Sequence, residues 1–517
     1  MASPSPARQL FEICIEAIST IQSECSLALS ATDSFKESSP AGLTGCGPAL
    51  VDLLARQAAR IETYYQELKP AEISTARSPP EDQKLSLERL SDLVSISYSK
   101  FYAFLFKDLP VCWRQLYTDA SILKFCLILL WTPCIYDRDV EGVKTSRELV
   151  GRAGRQITEL VKLLDFALVL AGAAGERRGR KWVNKAIGLL QELWDELGIG
   201  RGVPDELDGK FSTVEPFTPP IRHPIQFADA LSMEAFQAYM DNPQDSGLGP
   251  APLIIRGSIE NWPALTNNPW NKPSYLLSKT FGGRRLVPIE IGRSYVDEGW
   301  GQKLVTFGEF LRGYIDPSLP AVQDSSAGDT ISTLSRGSPI AYLAQHPLFT
   351  QLPVLRNDIL IPDYCYTTPP PHPADPSIDQ PELDEPLLNA WFGPPGTITP
   401  LHTDPYHNIL TQVVGRKYVR LYSPSNTNRM QARGKENGVE MGNTSLMDVG
   451  IVEGWDAIPD EEEEEEERLS EEDLANFREV PFLDCILEPG DALYIPIGWW
   501  HYVRGLSISF SVSFWWN

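Results

Sequence analysis

The chain has 517 residues, 42% hydrophobic and 10% aromatic, enough material for two domains with a substantial core. Its net charge of −24 and pI near 4.7 weigh against direct nucleic-acid binding, because phosphate backbones demand a basic face. The eight cysteines include no Cys-x-x-Cys pair, which suits reduced thiols in the cytosol or nucleus and argues against a structural zinc site.

From the N-terminus, Met-Ala-Ser-Pro-Ser-Pro-Ala-Arg lacks the apolar run of a signal peptide. Apolar residues then recur at helical spacing. Val51, Leu54, Ala58, Ile61, Tyr65 and Leu68 share one face, as do Leu160, Leu163 and Leu164, and later Ile187, Leu190, Trp194 and Leu197. The spacing predicts an all-α domain over residues 1–205. The most apolar stretch, Ile122 to Cys134, is too short for a membrane span and contains Lys124, so it reads as a buried helix. The basic cluster Arg177-Arg178-Gly179-Arg180-Lys181 reads as a solvated patch flanking a helix, with a nuclear-import signal as the alternative.

Glycines and a proline between Gly198 and Pro204 end the last helix, and residues 206–222 form a linker in a proline-rich stretch that runs to Pro224. Residues 223–517 form the second domain. Two inserts interrupt it, a proline-rich one at 367–386 and an acidic one at 428–478, and neither shows a periodic core. Residues 460–473 carry eleven acidic groups and one arginine. Such a block is expected to be a solvated loop, or else a tether for basic protein partners.

Within the second domain His402 and Asp404 stand two positions apart in Pro400-Leu401-His402-Thr403-Asp404-Pro405, and His501 follows far downstream in Pro496-Ile497-Gly498-Trp499-Trp500-His501. Side chains at i and i+2 of a strand project from one face, so the first two can converge on one ion while a neighbouring strand supplies the third. Two imidazoles and one carboxylate are the ligand set of a facial Fe(II) site with open positions.

Beyond it, Asn408 to Val414 and Lys417 to Tyr422 read as two strands joined by a tight Gly415-Arg416 turn. Alternation puts Lys417 on the face of Val419 and Leu421, opposite Tyr418, Arg420 and Tyr422. An inward lysine is costly unless an anion meets it, and in an iron site of this kind the natural anion is the distal carboxylate of 2-oxoglutarate. The segment from Gly490 to His501 has the spacing G-x5-P-x-G-x2-H and resembles the second metal motif of cupins, although Gly505 stands where many cupins have Asn. Ser507 to Phe514 alternates small polar and large apolar residues, as a half-buried strand does.

Taken together, Asn389-Ala-Trp-Phe-Gly-Pro394, Gly396 to Pro405, Gly415 to Pro424, Trp500 to Arg504 and Ser509 to Trp516 resemble the JmjC family. The resemblance covers roughly residues 220–517 and implies that the all-α N-terminal domain is followed by a mainly β double-stranded β-helix, jelly-roll and cupin-like, using Fe(II), 2-oxoglutarate and O2. On matching positions it implies His402, Asp404 and His501 as iron ligands. It assigns Tyr295, Thr399, Asn408 and Lys417 to 2-oxoglutarate, with Trp391 lining the pocket and Trp499 and Trp500 joining it in an aromatic shield against water. Alternatives stay open: Thr399 as a strand hydroxyl forced extended before Pro400, Asn408 as a turn residue, and His407 as a nearby histidine outside the ligand set.

The activity implied is hydroxylation of an arginine residue in a protein substrate, in the nucleus or cytoplasm. The alternatives are histone lysine demethylation, a non-catalytic scaffold for chromatin or protein partners, and a zinc or manganese enzyme that ignores 2-oxoglutarate. The partner expected is a basic protein, such as a histone or ribosomal protein. Tyr406-His407 departs from the smaller or uncharged residues common in the family and leaves the target open.

Overall fold

Apolar stripes become helices in the computed structural model, which describes residues 4–30, 42–67, 80–104, 108–132, 147–198, 209–245, 247–297, 299–320, 340–436, 439–457 and 470–517. These fall into two compact units, one built on the helices up to residue 203 and the other holding most of the chain from residue 204 onward.

The first unit contains, among the described residues, α1 (Pro6–Ser30), α2 (Pro48–Glu67), α3 (Glu81–Phe101), α4 (Val111–Leu129), α5 (Arg147–Ala171) and α6 (Gly179–Glu196). Val51, Leu54, Ala58, Ile61 and Tyr65 lie on the buried face of α2; Leu68 and Cys134 fall outside the described residues. The apolar run from Ile122 is the C-terminal half of α4, which is buried nearly all round, as expected of a helix enclosed by others. Its Lys124 is half-buried and donates to Ser91 Oγ at 3.0 Å. No helix among the described residues is long and apolar enough to cross a membrane. The basic cluster is not wholly solvated. The Arg178 side chain is 3% exposed and pairs with Asp119 at 2.8 Å and Glu24 at 2.9 Å, because a guanidinium taken out of water must keep its charge matched.

The second unit is β-rich. Its strands are β1 (Phe227–Asp229), β2 (Leu253–Arg256), β3 (Leu286–Ile291), β4 (Gly301–Thr306), β5 (Ala341–His346), β6 (Leu387–Gly393), β7 (Ile398–His402) and β8 (His407–Val414). They continue with β9 (Lys417–Tyr422), β10 (Lys435–Glu436), β11 (Val439–Glu440), β12 (Phe482–Leu487), β13 (Ala492–Ile495), β14 (Trp500–Gly505) and β15 (Ser509–Trp516). A nine-stranded sheet runs β1-β2-β13-β8-β15-β6-β5-β3-β4, and a four-stranded sheet runs β12-β9-β14-β7. Two such sheets facing each other make the double-stranded β-helix expected of a cupin-like domain.

Between the sheets lies an apolar cluster to which both contribute: Ile254, Leu410, Leu493 and Ile495 from the larger, Val419, Leu421, Leu487 and Val503 from the smaller. The larger sheet's other face is covered by a cluster that includes Trp262, Trp270, Phe307, Phe392, Phe510 and Phe514.

Three local expectations change. Gly415-Arg416 does not close a hairpin: β8 pairs with β13 and β15, and β9 with β12 and β14, so the turn carries the chain from one sheet to the other. Gly415 has φ +66°, and a Cβ there would stand 2.0 Å from the Ile508 carbonyl oxygen, which leaves room only for glycine. Next, β15 is buried on both faces. Its apolar side chains join the outer cluster, while Ser511 donates to Gln412 Oε1 at 2.7 Å and Ser513 accepts from Trp391 Nε1 at 3.0 Å.

The third change concerns the acidic insert, which does own a core. Met430, Met447, Val449, Val452 and Phe477 pack on Tyr418, Tyr422, Trp500 and Tyr502 of the smaller sheet, and each full burial contributes roughly 1.5–3 kcal/mol. Only apolar residues distant in the chain complete that surface, so the insert shows no period of its own. The expectation of a solvated acidic loop concerns residues that, over 458–469, lie outside the described ones.

Candidate metal centre

Strands β7 and β14 are antiparallel neighbours with His402 and His501 directly in register. Their rings lie 4.1 Å apart between centroids. Asp404 sits just past the end of β7 and presents one oxygen to each histidine: Oδ1 is 3.4 Å from His402 Nε2, and Oδ2 is 3.5 Å from His501 Nε2. Ligand atoms of all three residues lie within 4.8 Å of one another.

The far side of each imidazole sets its tautomer. His402 Nδ1 is 2.8 Å from the Pro400 carbonyl oxygen and His501 Nδ1 is 3.1 Å from that of Trp499. A carbonyl only accepts, so in the neutral ring each Nδ1 carries the proton and each Nε2 turns a lone pair toward Asp404. Acceptors then converge from three sides, an arrangement that a cation satisfies and that matches the way metal-binding imidazoles are oriented by backbone carbonyls. Burial opposes ionisation of Asp404, but the two imidazoles outweigh it and hold its carboxyl well below the usual range. Burial also opposes charge on His402, and the Asp404 carboxylate outweighs it and raises that imidazole. Asn408 Nδ2 donates to Asp404 Oδ2 at 3.1 Å, while its Oδ1 is buried without a hydrogen-bond donor among the described residues.

Strict alternation would put Thr399 and His402, three apart, on opposite faces of β7. The register shows otherwise: three residues of β14, His501 to Val503, oppose four of β7, His402 to Thr399. This β-bulge around Pro400 turns Thr399 inward beside the histidines, one of the ways bulges re-aim side chains at sites.

Deeper in, Lys417 Nζ donates to Tyr342 Oη at 3.0 Å. Burial alone depresses the Lys417 ammonium to about 7. Among the described residues no carboxylate pairs with it. The Tyr342 hydroxyl also meets Thr399, and Trp391 lies 6.0 Å from the Tyr342 ring. The structure therefore brings Lys417, Thr399 and Trp391 together around a residue that the sequence did not single out, Tyr342 of β5.

Tyr295, grouped with Lys417 from the sequence, meets the acidic insert beside the metal-type residues. Its hydroxyl is 3.2 Å from Thr444 Oγ1, and burial raises it within electrostatic reach of the Asp404 and Glu290 carboxylates. The partner, Thr444, belongs to the acidic insert, whose Asn443-Thr444-Ser445 segment runs along the open edge of β7. Thr403 N–H donates to the Asn443 carbonyl at 2.9 Å, Asn443 Nδ2 donates to the Thr403 carbonyl at 3.2 Å, and Ser445 N–H donates to the Leu401 carbonyl at 2.8 Å. The insert thus braces both sides of His402.

Glu290, opposite Tyr342 in the β3–β5 register, is raised by burial against a hydrogen bond from Trp300. Neither Tyr342, Glu290 nor the Asn443 segment could be told from ordinary strand or loop residues before the fold assembled them.

Two aromatic expectations divide. Trp499 packs between the sheets, but Trp500 points to the opposite face, joins the insert's core and donates to Thr427 Oγ1 at 3.0 Å. As the strand neighbour of the inward His501 it has to face away. Trp500 is therefore no part of a shield around the metal residues. His407 is buried and stands outside the metal set. Its Nε2 lies 2.8 Å from the Pro370 carbonyl and must donate, so Nδ1 accepts from the Tyr494 hydroxyl at 2.9 Å.

Residues 247–517 match the family model of the cupin-like domain. Lysine-specific demethylase 8 of Danio rerio is 31% identical over 84% of this chain and 89% of its own length. Jumonji C domain-containing protein 5 of Drosophila melanogaster is 35% identical over 82% of this chain and 85% of its own length.

The chain belongs to the JmjC group of cupin-like proteins. That membership makes it a 2-oxoglutarate-dependent dioxygenase. A more distant JmjC relative, the bifunctional peptidase and (3S)-lysyl hydroxylase JMJD7 of Homo sapiens, is 22% identical over 52% of this chain and 77% of its own length. In this JmjC chain, then, the acceptor cluster of His402, Asp404 and His501 and a buried Lys417 that meets no carboxylate among the described residues occupy one β-helix.

Proposed function

We propose that this protein is an Fe(II)- and 2-oxoglutarate-dependent protein hydroxylase acting on an arginine side chain of a basic protein substrate. The observation that carries the reading is a buried ammonium, Lys417, without a carboxylate partner among the described residues, in the same β-helix as three convergent metal-type acceptors.

His402, Asp404 and His501 would hold the ferrous ion, and Lys417 with Tyr342 and Thr399 would receive the distal carboxylate of 2-oxoglutarate. With O2, the bound iron and cosubstrate supply the oxidising power that replaces hydrogen on carbon by hydroxyl. The protein's own work is positioning and exclusion of water. Lys417 matches the cosubstrate's charge, and the Tyr342 hydroxyl, bonded to Lys417 and Thr399, fixes where that charge sits. Asn408 orients Asp404 through its Nδ2. Trp391, held by Ser513, closes one wall against solvent. Glu290, beside Tyr295 and Tyr342, offers a negative group to a cationic substrate side chain.

Demethylation of histone lysine is the second reading, favoured by what relatives are named for and compatible with the same Glu290. A scaffold without turnover is disfavoured by the complete set of His402, Asp404, His501 and Lys417, as is a metal enzyme that ignores 2-oxoglutarate by the inward lysine. Either substrate, histone or ribosomal, fits a location in the nucleus or cytoplasm.

The test is anaerobic loading with Fe(II) and 2-oxoglutarate followed by air, with succinate and peptide masses measured for wild type and Asp404→Ala. Gain of one oxygen atom on arginyl peptides supports the proposal, and formaldehyde with loss of methyl groups from lysyl peptides supports the second reading. Equal turnover by Asp404→Ala removes both.

A further inference from the structure

The helical unit contains a pair of thiols with its own chemistry. Cys46 ends the short 3-10 turn Leu43–Cys46, and Cys112 is the second residue of α4. Cys46 Sγ lies 3.3 Å from the Cys112 carbonyl oxygen. Cys112 Sγ in turn packs against Gly45, where an added Cβ would stand 2.8 Å from it. Each thiol therefore touches the other's segment. Both keep 7% exposure, whereas Cys14, Cys25 and Cys126 of the same unit have none.

The local electrostatics separate their roles. The first turn of α4 turns the backbone N–H groups of Cys112 and Trp113 toward the Cys112 sulfur, the latter shared with the Pro110 carbonyl at 3.2 Å, and helix N-termini favour negative charge. The Cys46 thiol donates to Cys112, burial opposes, and the N–H groups of Trp113 and Cys112 assist, with the balance bringing Cys112 down to about 7. As the donor of that bond and by burial, Cys46 is pushed up. A thiolate at a helix N-terminus beside a protonated thiol is the arrangement of an attacking and a resolving cysteine.

We propose that Cys46 and Cys112 form a peroxide-reactive pair that is oxidised to a disulfide joining the turn to the first turn of α4. The Cys112 thiolate sulfur attacks one oxygen of hydrogen peroxide; the O–O bond breaks, hydroxide leaves, and Cys112 becomes a sulfenic acid. Cys46 gives its proton to that hydroxide, and its sulfur attacks the Cys112 sulfur. The S–O bond then breaks and the departing hydroxide takes up a proton. Two thiols and one peroxide yield one disulfide and two waters, with two electrons passing from sulfur to oxygen. This chemistry is independent of the metal centre.

The full-length reduced protein is treated with hydrogen peroxide, denatured in iodoacetamide, digested and analysed by mass. The expected product is a peptide pair linked through Cys46 and Cys112. In Cys46→Ser, dimedone is expected to trap a sulfenic acid on Cys112. Trapping should slow roughly tenfold for each pH unit below about 7, as thiolate is lost. Recovery of both cysteines as alkylated thiols alongside Cys14 and Cys126 overturns the proposal, as does a disulfide to any other cysteine. A folded Cys46→Ser protein that forms no adduct at Cys112 overturns it as well.

Discussion

Lys417 Nζ donates to Tyr342 Oη at 3.0 Å with the lysine side chain buried, and this pair sets the pH response of the pocket. Burial lowers the ammonium from its ordinary value to about 7, so the ligand-free lysine loses its proton near neutrality. A dicarboxylate needs the charged form. Affinity of the Mn(II)-loaded protein for 2-oxoglutarate is predicted to fall roughly tenfold per pH unit above about 7, and in Lys417→Met to be weak and nearly independent of pH. Calorimetric titration from about pH 6 to about pH 9 measures it. The stability of the ligand-free chain runs the other way. A folded value below the unfolded one makes this group's contribution grow as pH rises from about 7 toward the ordinary lysine range. A flat affinity profile in wild type would contradict the assignment of Lys417.

His407 has the same sign of shift for a different purpose. Burial, outweighing its bond to the Pro370 carbonyl and assisted by the nearby His372, lowers it to about 4, so it is neutral in the folded chain at neutral pH. The unfolded chain binds its proton first. Stability from this group is therefore complete above the ordinary histidine range and is lost as pH falls toward about 4, a span of about 3 kcal/mol. Urea unfolding at stepped pH should show this loss for wild type and a shallower one for His407→Gln. Parallel curves for the two proteins refute it.

Asn443 braces Thr403 with both its backbone carbonyl and its side chain. Replacing it by Ala removes the side-chain donor and leaves the backbone pair. We expect weaker metal binding, about tenfold as measured by Mn(II) titration, with the fold retained by circular dichroism. Unchanged Mn(II) affinity would show that the acidic insert only covers the metal strand.

Gly415→Ala meets two penalties at once, a positive φ and a Cβ 2.0 Å from the Ile508 carbonyl oxygen. Together these should cost at least about 2 kcal/mol, seen as a lower urea midpoint. An unaltered midpoint would mean that the turn between the sheets relaxes freely.

The helices of the first unit and the residue types of the His402, Asp404 and His501 cluster were legible in the residues themselves. Periodicity along α2 and the i, i+2 spacing of His402 and Asp404 are local properties, written in side chains only a few positions apart, whereas His501 was recognised by the motif around it. The inward face of Lys417 was legible for the same reason, because alternation along β9 holds without interruption. Thr399 was placed by likeness to a family; a bulge in pairing with β14 brings it inward, against the local period. Trp500 was misjudged although the rule that decides it is local, since it adjoins the inward His501 on one strand.

Other features were decided by tertiary structure alone. Tyr342 of the larger sheet reaches Lys417 of the smaller sheet because the two sheets face each other, and Asn443 reaches Thr403 by running along the edge of β7. The acidic insert buries Met430, Met447 and Phe477 on a surface supplied by β9 and β14, so its core has no pattern within its own sequence. The two strands flanking Gly415 look like a hairpin, but each gains more by pairing in separate sheets. Residue type and spacing therefore determine which groups can do chemistry, and the partners that orient them follow from the register of strands far apart in the chain.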